Sequence, residues 1–260
     1  MKRKVFYYAD ELNDDFASTV QNVRPLPQDY RYARNNVFSA FGSFLLYRVI
    51  VRPIAWIYVK IKFRHKFVGK SRFCKEKSGI VLYKNHVMLA GDAFVPHLIS
   101  VRKRNYILTG KETNSLRPIL PLMRALGNIP LGQDPAQSLA MLKCMRRRVS
   151  EGGSITVYPE AHIWPYYTAI RPFSDVSFRY AVVLKAPVYC ATTCFQKKRI
   201  GKTPRAITFI DGPFYPEPGM TRAESAKYLR DRVYESMCAR AAAHSTYAVH
   251  EYRKMEEPNE

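Results

Sequence analysis

Acidic residues are scarce in this chain. Of its 260 residues, 21 are Asp or Glu against 42 Lys or Arg, a formal net charge of +21. The shortage is local: between Arg31 and Arg148 only Glu76, Asp92, Glu112 and Asp134 stand against 23 Lys and Arg. Such a field draws phosphate groups, whether of lipid, nucleic acid or a small molecule. Long apolar runs are missing too, since arginines interrupt every stretch short of the ~20 residues a spanning helix needs. Five cysteines without a C-x-x-C pair give no zinc framework and fit a reducing cytoplasm. No G-x-S-x-G occurs, so the strand–turn–helix serine elbow is not expected. Helix-turn-helix, zinc-finger and RNP-type patterns are absent, which argues against nucleic acid as partner despite the charge. Met1-Lys2-Arg3-Lys4 is followed by Asp10, Glu11, Asp14 and Asp15 instead of an apolar core, so the start does not read as a signal peptide.

What is present falls into four stretches. Residues 1–29 mix acids, Asn and two prolines and read as a loosely held arm. Residues 30–65 are rich in Phe, Tyr, Trp, Leu and Ile, punctuated by Arg34, Arg48, Arg52 and Pro53. Two helical pieces hinged near Pro53 would carry aromatic faces with basic edges, the arginines reaching lipid headgroups. The basic cluster Lys60 to Arg72 suits an anionic membrane surface. Residues 66–250 alternate strands and helices, and 251–260 form a polar tail.

Within 66–250 the buried strand 79–83 leads into Asn85-His86 and then a helix. Asp134 caps a helix over 135–150, with Pro135 at its first position. Ile155–Tyr158 is another buried strand, closing on Pro159-Glu160. Further strands are expected at 188–193 and 206–210, with helices over 173–185 and 221–243. The last opens with a Thr221/Glu224 capping box. The class expected is α/β, a central mixed sheet flanked by helices and preceded by an amphipathic membrane-surface segment.

His86 and Glu160 both follow strands, and α/β sheets bind ligands beyond the carboxyl ends of their strands. A histidine there with a nearby carboxylate, Asp92, is the minimal kit for a general base. The order of these pieces resembles the glycerolipid acyltransferases of the PlsC type, which include lysophosphatidic acid acyltransferases. Asn85-His86 matches that family's N-H-x4-D block. Lys111 with Gly127-Asn128-Ile129-Pro130 matches the second, Tyr158-Pro159-Glu160 the start of the third, and Pro187-Val188-Tyr189 the fourth. The resemblance covers about residues 67–215.

It implies transfer of a fatty acyl group from acyl-CoA or acyl-carrier protein to the hydroxyl of a lysophospholipid such as 1-acylglycerol-3-phosphate. No cofactor or metal is implied beyond that co-substrate. His86 and Asp92 would be catalytic. Glu160 would bind the acceptor, Lys111 and Arg171 its phosphate, with His162 and Asn85 as further polar contacts. The setting would be the cytoplasmic face of a membrane, as a peripheral or monotopic protein. Two departures stand out. The spacing is H-x5-D, which on a regular helix swings Asp92 roughly 120° from His86. The pair can meet only if His86 lies on a loop or a bulge absorbs the extra residue, which Gly91 would permit. The arginine expected just after Glu160 is replaced by Ala161-His162-Ile163. An acyltransferase fold that binds lipid without catalysis, or acylates another acceptor, is the alternative.

Overall fold

The computed structural model describes residues 3–16, 25–32, 37–110, 123, 126–201 and 203–255. A seven-stranded sheet runs β2 (Lys66–Val68), β8 (Arg205–Phe214), β7 (Val188–Gln196), β3 (Ile80–Lys84), β6 (Ser154–Val157), β4 (Asn105–Thr109) and β5 (Asn128–Pro130). Every pairing is parallel except β7 with β8. The mixed sheet expected from the sequence is therefore observed, with β3 at its centre between β6 and β7. All five β3 residues are buried, as a strand covered on both faces requires.

Alternation along β3 sorts the two faces. Val81 and Tyr83 pack with α5 (Pro135–Ser150), α6 (Phe178–Leu184) and α7 (Arg222–His244) in the largest core cluster. Ile80 and Leu82 face the other way, among Phe73 of α3 (Lys70–Lys75) and Ile99 of α4 (Ala90–Ile99). Parity puts Lys84 on the α4 side. Asp134 caps α5 by accepting from the Gln137 N–H, and the Thr221/Glu224 box closes α7 at both donors. α6 begins only at Phe178, because Pro172 and the Asp175 turn occupy the residues where the sequence suggests an earlier start.

The aromatic segment forms α1 (Val37–Leu45), a π-helical turn (Leu46–Val51) and α2 (Arg52–Phe63). Pro53 is no hinge. It lacks an N–H and its ring would crowd the carbonyl four residues back, and the wider turn just before it absorbs that conflict. Tyr47, Val51, Ala55, Val59 and Phe63, four apart, are buried. Phe41, Val49, Ile54, Trp56, Ile57 and Ile61 are 49–74% exposed. Arg48 and Arg52 donate to the carbonyls of Val101 and Ser100 beyond the end of α4. No helix among the described residues is long and apolar enough to cross a membrane.

The two ends of the chain pair. β1 (Val5–Tyr8) runs parallel to β9 (Glu251–Lys254), where the sequence reads as a loose arm and a frayed tail. Phe6, Phe16, Trp164 and Tyr252 stack beneath this ribbon, and the buried Trp164 indole donates to the Asp14 carbonyl. Burial of these rings is what holds a two-stranded ribbon that alone would be marginal.

Candidate active site

His86 lies on the loop between β3 and α4. Its Nδ1 sits 2.8 Å from Asp92 Oδ2, and Asp92 is in the first turn of α4. The extra residue is absorbed at Leu89, whose φ of 39° and ψ of −121° lie outside the usual regions for a branched side chain. Gly91, expected to permit the bulge through its backbone, is needed instead for room: a Cβ there would meet Met88 Cβ at 2.9 Å.

The Asp92 carboxylate is fully engaged. Oδ2 also accepts from the Met88 N–H at 2.8 Å, and Oδ1 accepts from Lys84 Nζ at 2.5 Å. Burial alone would push this carboxyl up. The Lys84 charge and the His86 hydrogen bond and charge outweigh it and bring it down to about 2. An ionised Asp92 only accepts, so His86 Nδ1 is the donor of this pair and Nε2 is the nitrogen the pair leaves unused. The Tyr158 ring stacks on the imidazole, centroids 4.1 Å apart, and its hydroxyl donates to the Asp92 carbonyl at 2.5 Å.

Lys84 had a sequence signal that goes unread: a lysine closing an otherwise apolar buried strand must find a counter-charge. It is fully buried, and its second donor goes to the Asn85 carbonyl at 3.0 Å.

The residues expected to bind the acceptor divide. The Asn85 amide is engaged with Thr193, donating to the carbonyl at 3.0 Å and accepting from the N–H at 2.8 Å. Glu160 and Arg171 also turn inward. Glu160 Oε2 accepts from the His86 N–H and Oε1 from the Arg171 N–H. The Arg171 guanidinium is 1% exposed, lies over Trp164 and donates to the carbonyls of Glu11, Glu160 and His162. Neither side chain is among the residues that line the crevice; both are bonded into the framework around it. His162 does line it, 3.7 Å from Asp15. Lys111 lies outside the described residues.

These strand ends surround a crevice of about 910 Å³. His86, Asp92 and Tyr158 lie on its wall with Leu89, Phe94, Ile107, Leu131, Val157 and Val176. A mostly apolar cleft with polar groups such as His86, Asp92 and His162 on its wall suits a ligand with a long hydrocarbon portion and a polar end. His65 and His97 are structural. His65 Nε2 meets Thr208 Oγ1 at 2.8 Å and His97 Nδ1 meets the Tyr47 hydroxyl at 3.0 Å. Desolvation pulls both imidazoles down to about 3.

Comparison with known proteins gives a family and a fold. A family model described as Acyltransferase matches residues 64–193. The crystal structure of PlsC, the 1-acyl-sn-glycerophosphate (LPA) acyltransferase of Thermotoga maritima, superimposes with a TM-score of 0.51 at 18% identity. That match covers 77% of this chain and 86% of the other and speaks to the fold. The pilus retraction motor PilT with bound ADP matches at a TM-score of only 0.28 and 10% identity, over 69% and 57% of the two chains, too little to bear on either fold or function. No curated protein matches the sequence.

Proposed function

The chain belongs to the acyltransferase family, and from that premise we propose that it moves a fatty acyl group from a thioester to a lipid hydroxyl at a membrane surface. The reading rests on one observation: a His86–Asp92 pair at 2.8 Å opening onto an apolar crevice of about 910 Å³. His86 Nε2 takes the proton of the acceptor hydroxyl as its oxygen attacks the thioester carbonyl. The imidazolium that forms is stabilised by Asp92, and the thiolate of the donor leaves. The hydrocarbon chains lie along the apolar wall, which excludes water and so favours the alcohol over hydrolysis.

The acceptor proposed is a lysophospholipid such as 1-acylglycerol-3-phosphate, and the donor acyl-CoA or acyl-carrier protein. With Arg171 sequestered, Lys111 is the residue assigned to the acceptor's phosphate, and His162 to its polar head. The exposed stripe from Phe41 to Ile61 lies in the bilayer surface, on the cytoplasmic face, and the surrounding cations favour anionic lipid.

The test offers labelled acyl-CoA and acyl-carrier protein with a panel of lysolipids to the protein and to His86→Ala. Transfer by the wild type, lost in the variant, supports the reading; equally little transfer by both refutes it. Flotation with anionic and neutral vesicles checks the surface attachment, which fails if the intact chain floats with neither.

A further inference from the structure

We propose that Lys84 is a positioning residue of this site, acting through Asp92 to hold and tune the His86 base. The proposal rests on the catalytic reading of His86 and Asp92 above and adds a third side chain to it. Three observations carry it. Lys84 Nζ is fully buried at the end of the central strand and 2.5 Å from Asp92 Oδ1. The opposite oxygen, Oδ2, is the one that receives His86 Nδ1 at 2.8 Å. And Asp92 sits one residue later than an H-x4-D turn would put it, past the irregular backbone at Leu89.

The Met88 N–H shares Oδ2 with the imidazole, and Oδ1 faces Lys84. Lys84 anchors one oxygen, and the carboxylate plane then presents the other to the imidazole. Strand parity puts Lys84 on the α4 face of β3, and its place at the strand's end brings it to Asp92 in the first turn of α4. An arginine would not fit a site already closed by the Tyr158 ring, 5.6 Å from the ammonium.

The charge has a second effect. Around the imidazole stand Asp92 on α4, Lys84 on β3, Tyr158 at the end of β6, and Glu160 whose carboxylate holds the His86 N–H. His65 and Cys194 flank Lys84 from the far side, the first neutral and the second a protonated thiol, since burial lowers the one and raises the other. Lys84 is thus the cation that offsets Asp92 at close range. Without it the imidazole faces buried carboxylates with no cation to offset Asp92, which favours its protonated form.

The experiment compares wild type with Lys84→Met, which keeps length and removes charge, and Lys84→Gln, which keeps a donor for Asp92. We expect the acid limb of the kcat/KM profile to move up by at least one pH unit in both. Activity at neutral pH then falls tenfold or more and recovers at higher pH. A purely structural lysine would lower activity equally at every pH, and that outcome, or an unmoved profile, overturns the proposal. Imidazole nitrogen NMR of His86 reads the same upward shift with no turnover required. A shifted midpoint in a protein that transfers no acyl group would count against the acyltransferase reading and leave the positioning role intact. Should neither variant fold, the wild type decides: carboxyl-carbon NMR must find Asp92 ionised below pH 3, and protonation above pH 4 overturns the pairing.

Discussion

Two buried ion pairs flank the crevice, and they behave differently. Lys84–Asp92 stands 2.5 Å apart behind His86, and its carboxylate keeps one oxygen for an imidazole that reaches the crevice wall. Arg171–Glu160 stands 3.7 Å apart, and both partners spend their hydrogen bonds on backbone groups. The carboxyl pKa moves in opposite directions. Asp92 is pulled down by its lysine, whereas burial at Glu160 outweighs Arg171 and pushes the carboxyl up. The difference is that one pair keeps an oxygen for an imidazole on the crevice wall, whereas the other spends its bonds within the frame. The second pair ties the end of β6 to the His86 backbone and gives the first a fixed frame.

The sharpest way to break this contrast is to remove each pair's working group in turn. His86→Ala should cut acyl transfer by 10²–10⁴-fold, the range for a positioned general base, with the thermal midpoint little changed. Enzyme kinetics alongside a melting curve reads both, and a similar loss from an equally stable Glu160→Gln would erase the distinction.

Glu160→Gln should act on stability first. It leaves the buried Arg171 charge uncompensated, a loss of about 3–5 kcal/mol, while Glu160→Gln/Arg171→Met should recover part of it. Denaturant unfolding of the single and double variants measures this; a milder single than double variant would contradict the framework role.

Acid should separate the two carboxyls without any mutation. The folded pKa of Asp92 is depressed, so its contribution to stability is present above its unfolded value near 3.9 and is lost as pH falls through about 2. The folded pKa of Glu160 is raised, so the folded state binds a proton there more tightly than the unfolded chain and gains stability from it in acid. That contribution is present below its unfolded value and is lost as pH rises through the folded one. On titration downward Glu160 therefore takes its proton first. Carboxyl-carbon NMR gives the order, and simultaneous protonation would show the two environments to be alike.

The smallest effect belongs to Tyr158→Phe. It keeps the ring on His86 but removes the donor to the Asp92 carbonyl, worth about 1 kcal/mol, a several-fold loss of activity or a few degrees of melting temperature. Differential scanning calorimetry with kinetics would detect it, and a loss as large as that of His86→Ala would give Tyr158 a place in the chemistry.

The strand ends and the His–Asp pair were legible because they follow from hydrophobic runs and a short spacing. So were the caps at Asp134 and Thr221, which need only the right residue at the right offset. The direction of a side chain was not. Asn85, Glu160 and Arg171 stand in motif positions, yet backbone groups more than a hundred residues from Asn85, and from the N-terminal stretch for Arg171, claim them. Lys84 was hidden by the reverse habit, since charged residues in motif-rich segments are read as surface. The β1–β9 ribbon pairs residues about 246 apart, beyond the reach of any local pattern.

That ribbon also sets a timetable. Glu251 pairs with Val5, and the arm it secures supplies the Asp14 and Glu11 carbonyls that hold Trp164 and Arg171. Closing so long a loop is slow and unrewarded until both strands exist. During synthesis the histidine loop and its carboxylate therefore emerge well before the frame around them is locked. Only when Lys254 has cleared the ribosome can the arm settle and the crevice take its final shape.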